Sequence, residues 1–247
     1  MSRNLFLIIG PKAIGKTAHS IELARQLDAP VFVVDRVQCY PELAIGSGRP
    51  AEDELKGTSR RYLPERKASD GVLEAAAAVQ SLTGFIGAHW ASGSKDLIVE
   101  GGSTSMLSLL ARTSRWTGGA DLLVEHLREP AGAEYEQRVR RRVERMLGRG
   151  GRTMIDELCA LWPDARTHPL LNAAIGYRSL IKLCRDNNTD PAQLGDMAAR
   201  DIDPLVDCVL KDHLAHSQEQ RLVFDRLMES FRRYGVELRS VPETAAT

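Results

Sequence analysis

The sequence GPKAIGKT occupies residues 10–17, directly after the apolar run Leu5–Ile9 and before the helix-like segment Lys16–Leu27. It fits the pattern G-x-x-x-x-G-K-[ST], whose glycines let backbone N–H groups turn toward a phosphate. The N-terminus of the following helix adds partial positive charge. In this pattern Lys16 reaches the terminal phosphates and the Thr17 hydroxyl can bind Mg²⁺. The stretch therefore predicts a site for a phosphorylated ligand rather than a simple strand-to-helix turn.

The overall composition restricts the kind of partner that we expect. Lys and Arg number 33, as do Asp and Glu, so the chain of 247 residues has no net charge to attract a long nucleic acid. The N-terminal apolar run is too short for a signal peptide, and no apolar stretch approaches membrane-spanning length. The scattered cysteines contain no C-x-x-C pair and are expected to be reduced thiols: Cys39, Cys159, Cys184 and Cys208. We expect a cytoplasmic monomer that binds neither membrane nor nucleic acid.

The first half of the chain alternates between strand-like and helix-like segments. The predicted strands are Leu5–Ile9, Val31–Val34 and Asp96–Glu100, and the predicted helices are Lys16–Leu27, Gly71–His89 and Thr104–Arg112. This alternation predicts an α/β fold with a parallel sheet flanked by helices, of the kind found in phosphate-loop NTPases. Ligands of such sheets bind beyond the carboxyl ends of the strands. The phosphate loop, Asp35 and Glu100-Gly101-Gly102 all follow a predicted strand, so we expect them to converge on one crevice.

The second half of the chain is helical by pattern. The predicted helices are Glu134–Leu147, Thr153–Trp162, Leu170–Asp186 and Leu205–Tyr234. We therefore divide the chain into a phosphate-loop α/β core over residues 1–125 and a helical region over 126–241 that caps the crevice. The two regions form either separate units or a single domain. Residues 242–247 are predicted to be a frayed tail.

A second motif follows the second predicted strand. The sequence DRVQCY occupies residues 35–40, and GSGRP occupies residues 46–50. An aspartate at a strand end opposite a phosphate loop can act as a general base or accept a hydrogen bond from a substrate N–H or O–H. It can equally bind the water of a Mg²⁺ ion or cap a helix. The spacing by itself leaves these roles open.

Together with Glu100–Thr104 and Ile175–Arg178, these motifs resemble those of the isopentenyltransferases. The resemblance extends from Leu5 to about Phe224, and residues 35–50 are especially similar to the bacterial adenylate isopentenyltransferases. It implies transfer of a dimethylallyl group from dimethylallyl diphosphate to N6 of AMP, or of ADP or ATP, with Mg²⁺ as cofactor, in cytokinin biosynthesis. The tRNA-modifying branch of the family reads D-S-x-Q-x-Y at the first motif and has longer chains.

The resemblance also implies roles for individual residues. Asp35 accepts the N6 proton, Lys16 stabilises the leaving diphosphate and Thr17 binds Mg²⁺. Lys12, where the chain departs from the family pattern, is placed with Asp35 and Lys16 as a candidate catalytic residue. The diphosphate-binding set comprises Gly10, Pro11, Ala13, Ile14, Gly15, Lys16, Thr17, Ser103, Thr104 and Arg142. The nucleotide is expected to contact Asp35, Arg36 and Ser47, and the donor pocket is expected to contain Ile175, His213 and His216. The remaining arginines between residues 138 and 152 are read as a solvated helix face.

The phosphate loop departs from the family pattern at two positions. That pattern is usually G-P-T-x-[TS]-G-K-[ST], whereas this chain has Lys12 and Ile14 in place of small hydroxyl residues. A lysine either adds positive charge at the diphosphate or occupies space that adenine needs. Three alternatives to adenylate prenylation therefore remain: a tRNA dimethylallyltransferase, a small-molecule kinase, and a nucleotide-binding protein with weakened catalysis.

The departure at Lys12 predicts weakened or altered transfer to adenylate, because Asp35, Lys16 and Thr17 are retained. If Lys12 occupies space that adenine needs, replacing it by the usual residue, Lys12→Thr, is expected to raise the turnover number in a steady-state prenyl-transfer assay. Unchanged turnover would mean that Lys12 is not a handicap to the reaction.

Overall fold

The computed structural model describes residues 2–128, 132–148, 151–233 and 236–241. Its core is a six-stranded, entirely parallel sheet in the order β3-β2-β4-β1-β5-β6. The strands are β1 (Asn4–Ile9), β2 (Val31–Val34), β3 (Arg60–Arg61), β4 (Asp96–Gly101), β5 (Asp121–Leu127) and β6 (Glu237–Val241). The three strands predicted in the first half are present, and the expected α/β fold is confirmed. The predicted tail over 242–247, together with Arg149 and Tyr234, lies outside the described residues.

Helices flank this sheet and form most of the second half of the chain. They are α1 (Lys16–Leu27), α2 (Ala44–Ser47), α3 (Ala75–Ala91), α4 (Thr104–Leu110), α5 (Ala133–Leu147), α6 (Met154–Leu161), α7 (His168–Ala173), α8 (Tyr177–Asp186), α9 (Leu194–Arg200) and α10 (Asp203–Arg233). Most predicted helices agree with these bounds to within two residues. None of these helices is long and apolar enough to cross a bilayer.

The sequence analysis did not predict strands β5 and β6, which lie before and after the helices of the second half. The sequence pattern missed β5 because its buried end carries Glu125 and His126, which are atypical of a buried parallel strand. The Glu125 carboxylate lies 2.6 Å from Nε2 of His19 on α1, so its burial is compensated by a contact that only the fold creates.

Two predicted helices also have different bounds. Helix α3 begins at Ala75 rather than at Gly71, because Gly71 has a φ of +75° and its carbonyl accepts a hydrogen bond from the Tyr40 hydroxyl. The segment Leu170–Asp186 is divided into α7 and α8. Its break lies at Gly176, which has a φ of +90° and donates its N–H to the Asp212 carboxylate instead of to a helix carbonyl.

Residues from both predicted regions contribute to the same sheet and pack against each other. Strand β5 spans the expected boundary at residues 125 and 126, and β6 pairs with it from near the end of the chain. Helix α10 packs against α4, α5, α8 and β6. The division into a core and a helical region stays a prediction, and the sheet takes strands from both sides of it.

Glycine is required where the strand ends approach one another. A Cβ atom on Gly101 would lie 2.2 Å from the Val34 carbonyl oxygen, and one on Gly10 would lie 2.6 Å from the Leu127 carbonyl oxygen. Both neighbours are backbone atoms that cannot rotate away. These close approaches bring the ends of β1, β2, β4 and β5 together at the edge of the sheet where the phosphate loop lies.

We expect Gly101→Ala to lower the free energy of unfolding by about 2–4 kcal/mol, because the strands must separate to admit the methyl group. A matched control is Gly84→Ala, since Gly84 is in the interior of α3 and has open space around its Cα. The control is expected to raise stability by about 0.5–1 kcal/mol through helix propensity. Urea denaturation measures both, and equal effects of the two variants would contradict the proposed packing constraint.

Candidate active site

A cavity of about 270 Å³ lies at the carboxyl edge of the sheet. The phosphate loop, the ends of β2 and β4, and residues of α2, α5, α7, α8 and α10 form its walls. The three strand-end segments that were expected to converge do so here. Of the predicted site residues, those that line the cavity are Lys12, Ala13, Ile14, Gly15, Lys16, Thr17, Asp35, Arg36, Ser47, Ser103, Thr104, Arg142, Ile175 and His216.

The phosphate loop surrounds one end of this cavity. Gly15 has a φ of +92° and precedes the first turn of α1, a conformation that favours glycine. The Lys16 ammonium donates to the Pro11 carbonyl at 2.6 Å, which holds the side chain over the loop. Burial lowers the pKa of Lys16 to about 8. Gly10 and Pro11 are buried behind the loop and shape it without lining the cavity.

Long-range hydrogen bonds fix the loop at Lys12. Gln220 on α10 accepts from the Lys12 backbone N–H at 3.3 Å and donates to the Gly102 carbonyl at 2.8 Å. Tyr135 on α5 donates its hydroxyl to the Lys12 carbonyl at 2.8 Å and lies 2.7 Å from Oγ of Ser217. Two helices of the second half therefore position the phosphate loop of the first half.

The Lys12 side chain extends into the cavity. Its ammonium makes no hydrogen bond or ion pair with any residue that the structure describes. Burial lowers the pKa of Lys12 to about 8, and the Asp35 carboxylate partly opposes that shift. A desolvated ammonium without a partner is suited to bind an anion.

Asp35 lies at the end of β2 opposite the phosphate loop. Its Oδ1 accepts from the backbone N–H groups of Val37 at 2.7 Å and of Gln38 at 3.3 Å. Its Oδ2 makes no hydrogen bond within the described residues, so that oxygen is available to a ligand. Arg36 donates to the Leu73 carbonyl at 2.6 Å, and the Ser47 hydroxyl donates to the Ala44 carbonyl at 3.2 Å.

Arg142 is the arginine of α5 that reaches the cavity. Its guanidinium packs over Gly48, where a Cβ atom would lie only 1.7 Å from Nη2. Burial lowers the pKa of Arg142, and its Nε has no hydrogen-bond partner in the described part of the chain. Ser103 and Thr104 are at the start of α4, and Ser103 does not cap that helix through its side chain. The Ser103 hydroxyl lies 3.4 Å from Oγ of Ser105, and both Ser103 and Thr104 line the cavity.

The cavity carries an excess of positive charge. Its cationic side chains are Lys12, Lys16, Arg36 and Arg142. Of its two carboxylates, Glu100 is paired with the buried Arg60 guanidinium, which leaves Asp35 to oppose the four cations. This balance favours a ligand with several negative charges, such as a diphosphate.

An apolar wall is also part of the cavity lining. It comprises Val72, Leu73, Leu170, Ala173, Ala174 and Ile175. His216 lines the cavity beside this wall, and burial lowers its pKa. His213 does not line the cavity: it is buried beside Gly176, and neither ring nitrogen has a hydrogen-bond partner among the described residues. Burial lowers the pKa of His213 well below its ordinary value.

Sequence reasoning missed several residues that support the site. Besides Gln220 and Tyr135, they include Glu157 on α6, which is fully buried and accepts hydrogen bonds from the short helix α2 and from Tyr177. Tyr177 lies within the Ile175–Arg178 segment already singled out, so a signal existed for it. Glu157 and Gln220 are polar residues on predicted helices, where a solvent-facing position is the ordinary expectation.

A family model described as "Isopentenyl transferase" matches residues 3–233 of the chain. The chain belongs to the isopentenyl transferase family. It is 41% identical over 203 residues to an adenylate dimethylallyltransferase of Ralstonia nicotianae, covering 77% of this chain and 84% of that protein. An adenylate dimethylallyltransferase of Agrobacterium tumefaciens strain Ach5 is 35% identical over 225 residues, which cover 91% of this chain and 93% of the relative. The predicted family is therefore confirmed.

Solved structures agree on the fold. A tRNA isopentenylpyrophosphate transferase from Bacillus halodurans superimposes with a TM-score of 0.68 at 16% identity, over 99% of this chain and 92% of that one. The corresponding enzyme of Staphylococcus epidermidis gives a TM-score of 0.67 at 17% identity, over 98% and 94%. At these identities the likeness concerns the fold of this family member and not its acceptor.

The two low lysine pKa values predict how diphosphate binding depends on pH. The protonated amine binds the anion, so the contribution of Lys12 is present below about pH 8 and is lost as the pH rises above it. At pH 7 we expect Lys12→Met to weaken binding of inorganic diphosphate about tenfold or more, and at pH 9.5 we expect a much smaller difference.

Isothermal titration calorimetry of both proteins at both pH values measures this difference, and ionisation of the diphosphate itself cancels in the comparison. Without ligand, the variant is expected to unfold at a higher temperature, because methionine replaces a desolvated charge. If the difference in diphosphate affinity between the wild type and Lys12→Met is as large at pH 9.5 as at pH 7, this role of Lys12 is contradicted.

Proposed function

We propose that this chain transfers a dimethylallyl group from dimethylallyl diphosphate to N6 of an adenosine phosphate, with AMP as the preferred acceptor, in cytokinin biosynthesis. The observation that carries the proposal is the composition of the cavity at the carboxyl edge of the sheet. A cationic phosphate loop, an aspartate whose Oδ2 makes no hydrogen bond with a described residue, and an apolar wall all line it. The family membership and the named relatives support the same reaction.

Asp35 is proposed as the residue that activates the acceptor. The N6 amine of adenine is a weak nucleophile because its lone pair is delocalised into the ring. Oδ1 of Asp35 is held by two backbone N–H groups, and its free Oδ2 can accept a proton from N6 as the new N–C bond forms. The same contact would direct the nitrogen toward C1 of the donor. Arg36 and Ser47, at the same end of the cavity, would contact the nucleotide.

The phosphate loop is proposed to stabilise the leaving group. As the C1–O bond breaks, the electron pair stays on the diphosphate while the allylic carbon gains positive character. Lys16, Lys12 and the loop amides would bind that charge from one side, and Arg142 would bind it from α5. The hydroxyls of Ser103 and Thr104, which follow β4, can donate hydrogen bonds to the diphosphate. No phosphoryl group moves in this reaction.

Mg²⁺ is proposed as the cofactor, and the Thr17 hydroxyl would hold it. Thr17 is in the first turn of α1, lines the cavity, and its hydroxyl makes no hydrogen bond with a described residue. Within the described ranges no cluster of three acidic, histidine or cysteine side chains could hold an ion without a ligand. The Thr17 hydroxyl beside the phosphate loop fits a hard cation that enters with the phosphate oxygens. When bound, Mg²⁺ would neutralise part of the diphosphate charge.

The apolar wall is proposed to hold the five-carbon tail. Leu170, Ala174 and Ile175 offer hydrocarbon surface and no hydrogen-bonding side chain. A hydroxylated donor would lose water on entering that surface, at a cost of about 1–3 kcal/mol unless His216 provided a partner. We therefore propose the unmodified dimethylallyl group as the preferred donor. His213 would support this wall from behind Gly176 rather than contact the donor.

The proposal predicts a prenylated nucleotide when purified protein, Mg²⁺ and dimethylallyl diphosphate are incubated with AMP. Liquid chromatography with mass spectrometry identifies the product, and parallel reactions contain ADP, ATP or an unmodified tRNA. We expect Asp35→Asn to lower turnover about 100-fold or more, because the variant retains the side-chain volume but cannot accept the N6 proton.

Each parallel reaction has a distinct meaning. Prenylated tRNA without prenylated AMP would assign the chain to the tRNA-modifying branch, and ADP formed from ATP without prenylation would indicate a kinase. Nucleotide binding without product would indicate weakened catalysis. Any of these three results would overturn the proposed function.

A further inference from the structure

A buried carboxylate connects two walls of the cavity. Glu157 on α6 is fully buried, and its oxygens accept from the backbone N–H groups of Ile45 at 2.8 Å and Gly46 at 3.0 Å. The Tyr177 hydroxyl donates to the same carboxylate. Glu157 forms no ion pair with any residue in the described ranges. Three hydrogen bonds thus replace the cation that a buried carboxylate ordinarily requires.

The donors of these three hydrogen bonds belong to different walls. Ile45 and Gly46 are in α2. That helix ends at Ser47, and Ser47 and Gly48 line the part of the cavity that we assign to the nucleotide. Tyr177 begins α8 directly after Ile175 and Gly176, at the apolar end. Glu157 itself does not line the cavity. It therefore acts on bound molecules only through the groups that it holds.

The packing at this junction allows little movement. A Cβ atom on Gly46 would lie 2.1 Å from the Tyr177 hydroxyl oxygen, so α2 and α8 are already in the closest contact that their residues permit. Burial, followed by the charge of Glu157, raises the pKa of Tyr177 well above its ordinary value, so this hydroxyl remains a donor. Loss of one of these hydrogen bonds would leave a buried polar group without a partner.

We propose that Glu157 is a positioning residue that sets the distance between α2 and Tyr177 and thereby the fit of the acceptor nucleotide. The inference deepens the proposed function and rests on it. Glu157 makes no hydrogen bond with the phosphate loop, whose Lys12 is held instead by Gln220 and Tyr135. Acceptor affinity therefore depends on Glu157 more strongly than diphosphate affinity, which Glu157 can affect through the packing of Arg142 over Gly48 at the end of α2.

The test measures these two affinities separately in the full chain. Isothermal titration calorimetry with AMP alone and with inorganic diphosphate alone is applied to the wild type and to Glu157→Gln. Glutamine keeps the size of the side chain but turns one acceptor oxygen into an N–H₂ group that faces other donors. We expect AMP affinity to fall about tenfold and diphosphate affinity to stay within twofold of the wild type. In steady-state assays the KM for AMP rises.

Two further variants separate positioning from general destabilisation. Tyr177→Phe removes one donor and leaves both backbone hydrogen bonds, so we expect a smaller fall in AMP affinity of about threefold. Trp90→Phe removes a buried hydrogen bond from Trp90 Nε1 to the Thr117 carbonyl at 2.8 Å, away from the cavity. It is expected to lower the unfolding temperature without changing AMP affinity.

The inference is overturned if Glu157→Gln binds AMP like the wild type, or if it loses AMP and diphosphate affinity equally. If that variant does not fold, Tyr177→Phe decides, and unchanged AMP affinity in it overturns the inference. The calorimetry needs no turnover. A wild type that binds AMP and forms no prenylated product would therefore count against the proposed function, whereas the comparison of variants would still test the role of Glu157.

Discussion

The amide of Gln220 is the contact on which the site depends most directly. It accepts from the Lys12 backbone and donates to the Gly102 carbonyl, so one side chain of α10 joins the loop after β1 to the end of β4. Tyr135 adds a second contact to the Lys12 carbonyl from α5. A phosphate loop is rich in glycine and has few side chains of its own to stabilise it. External hydrogen bonds of this kind give it one conformation before a ligand arrives, which lowers the entropic cost of binding.

Rigid support is needed because the cavity contains several cations with little compensation. Burial disfavours the charged forms of Lys12, Lys16 and Arg142, as the lowered pKa values of all three express. Without a scaffold, mutual repulsion would separate these groups or draw water between them. The family fold holds them at the carboxyl edge of a parallel sheet, where close glycine contacts bring four strand ends together. These buried cations lower the stability of the free protein, and the same cations increase its affinity for an anion.

A second buried charge, behind the cavity walls, is held by few contacts. Glu157 is a buried charge whose partners are two backbone N–H groups and one hydroxyl, so it constrains the surrounding helices more strictly than an apolar residue would. Lys12 and Glu157 are thus opposite cases. Lys12 is a charge left available for a ligand, whereas Glu157 is a charge fully engaged in holding the walls that receive one.

Local sequence patterns were sufficient for the phosphate loop, for Asp35 and for the helices with clear periodicity, because their signals lie within a few consecutive residues. Strand β5 escaped detection because Glu125 is compensated by His19, which is 106 residues away. The division of α7 from α8 likewise depends on Asp212, since that carboxylate takes the Gly176 N–H from the helix. The spacing of residues along the chain cannot predict hydrogen-bond partners that come together only when the chain folds.

Sequence alone was enough to predict a site for a phosphorylated ligand on a parallel α/β sheet, because the spacing of glycine, lysine and threonine after a strand is typical of that local geometry. Tertiary structure alone decided that Gln220, Tyr135 and Glu157 support the site, and that His213 stands behind its wall. Their hydrogen bonds and contacts join residues far apart in the chain, and Gln220 lies 118 positions from Gly102. The physical reason is that a polar side chain on a helix has no preferred partner until packing excludes water and leaves one within reach.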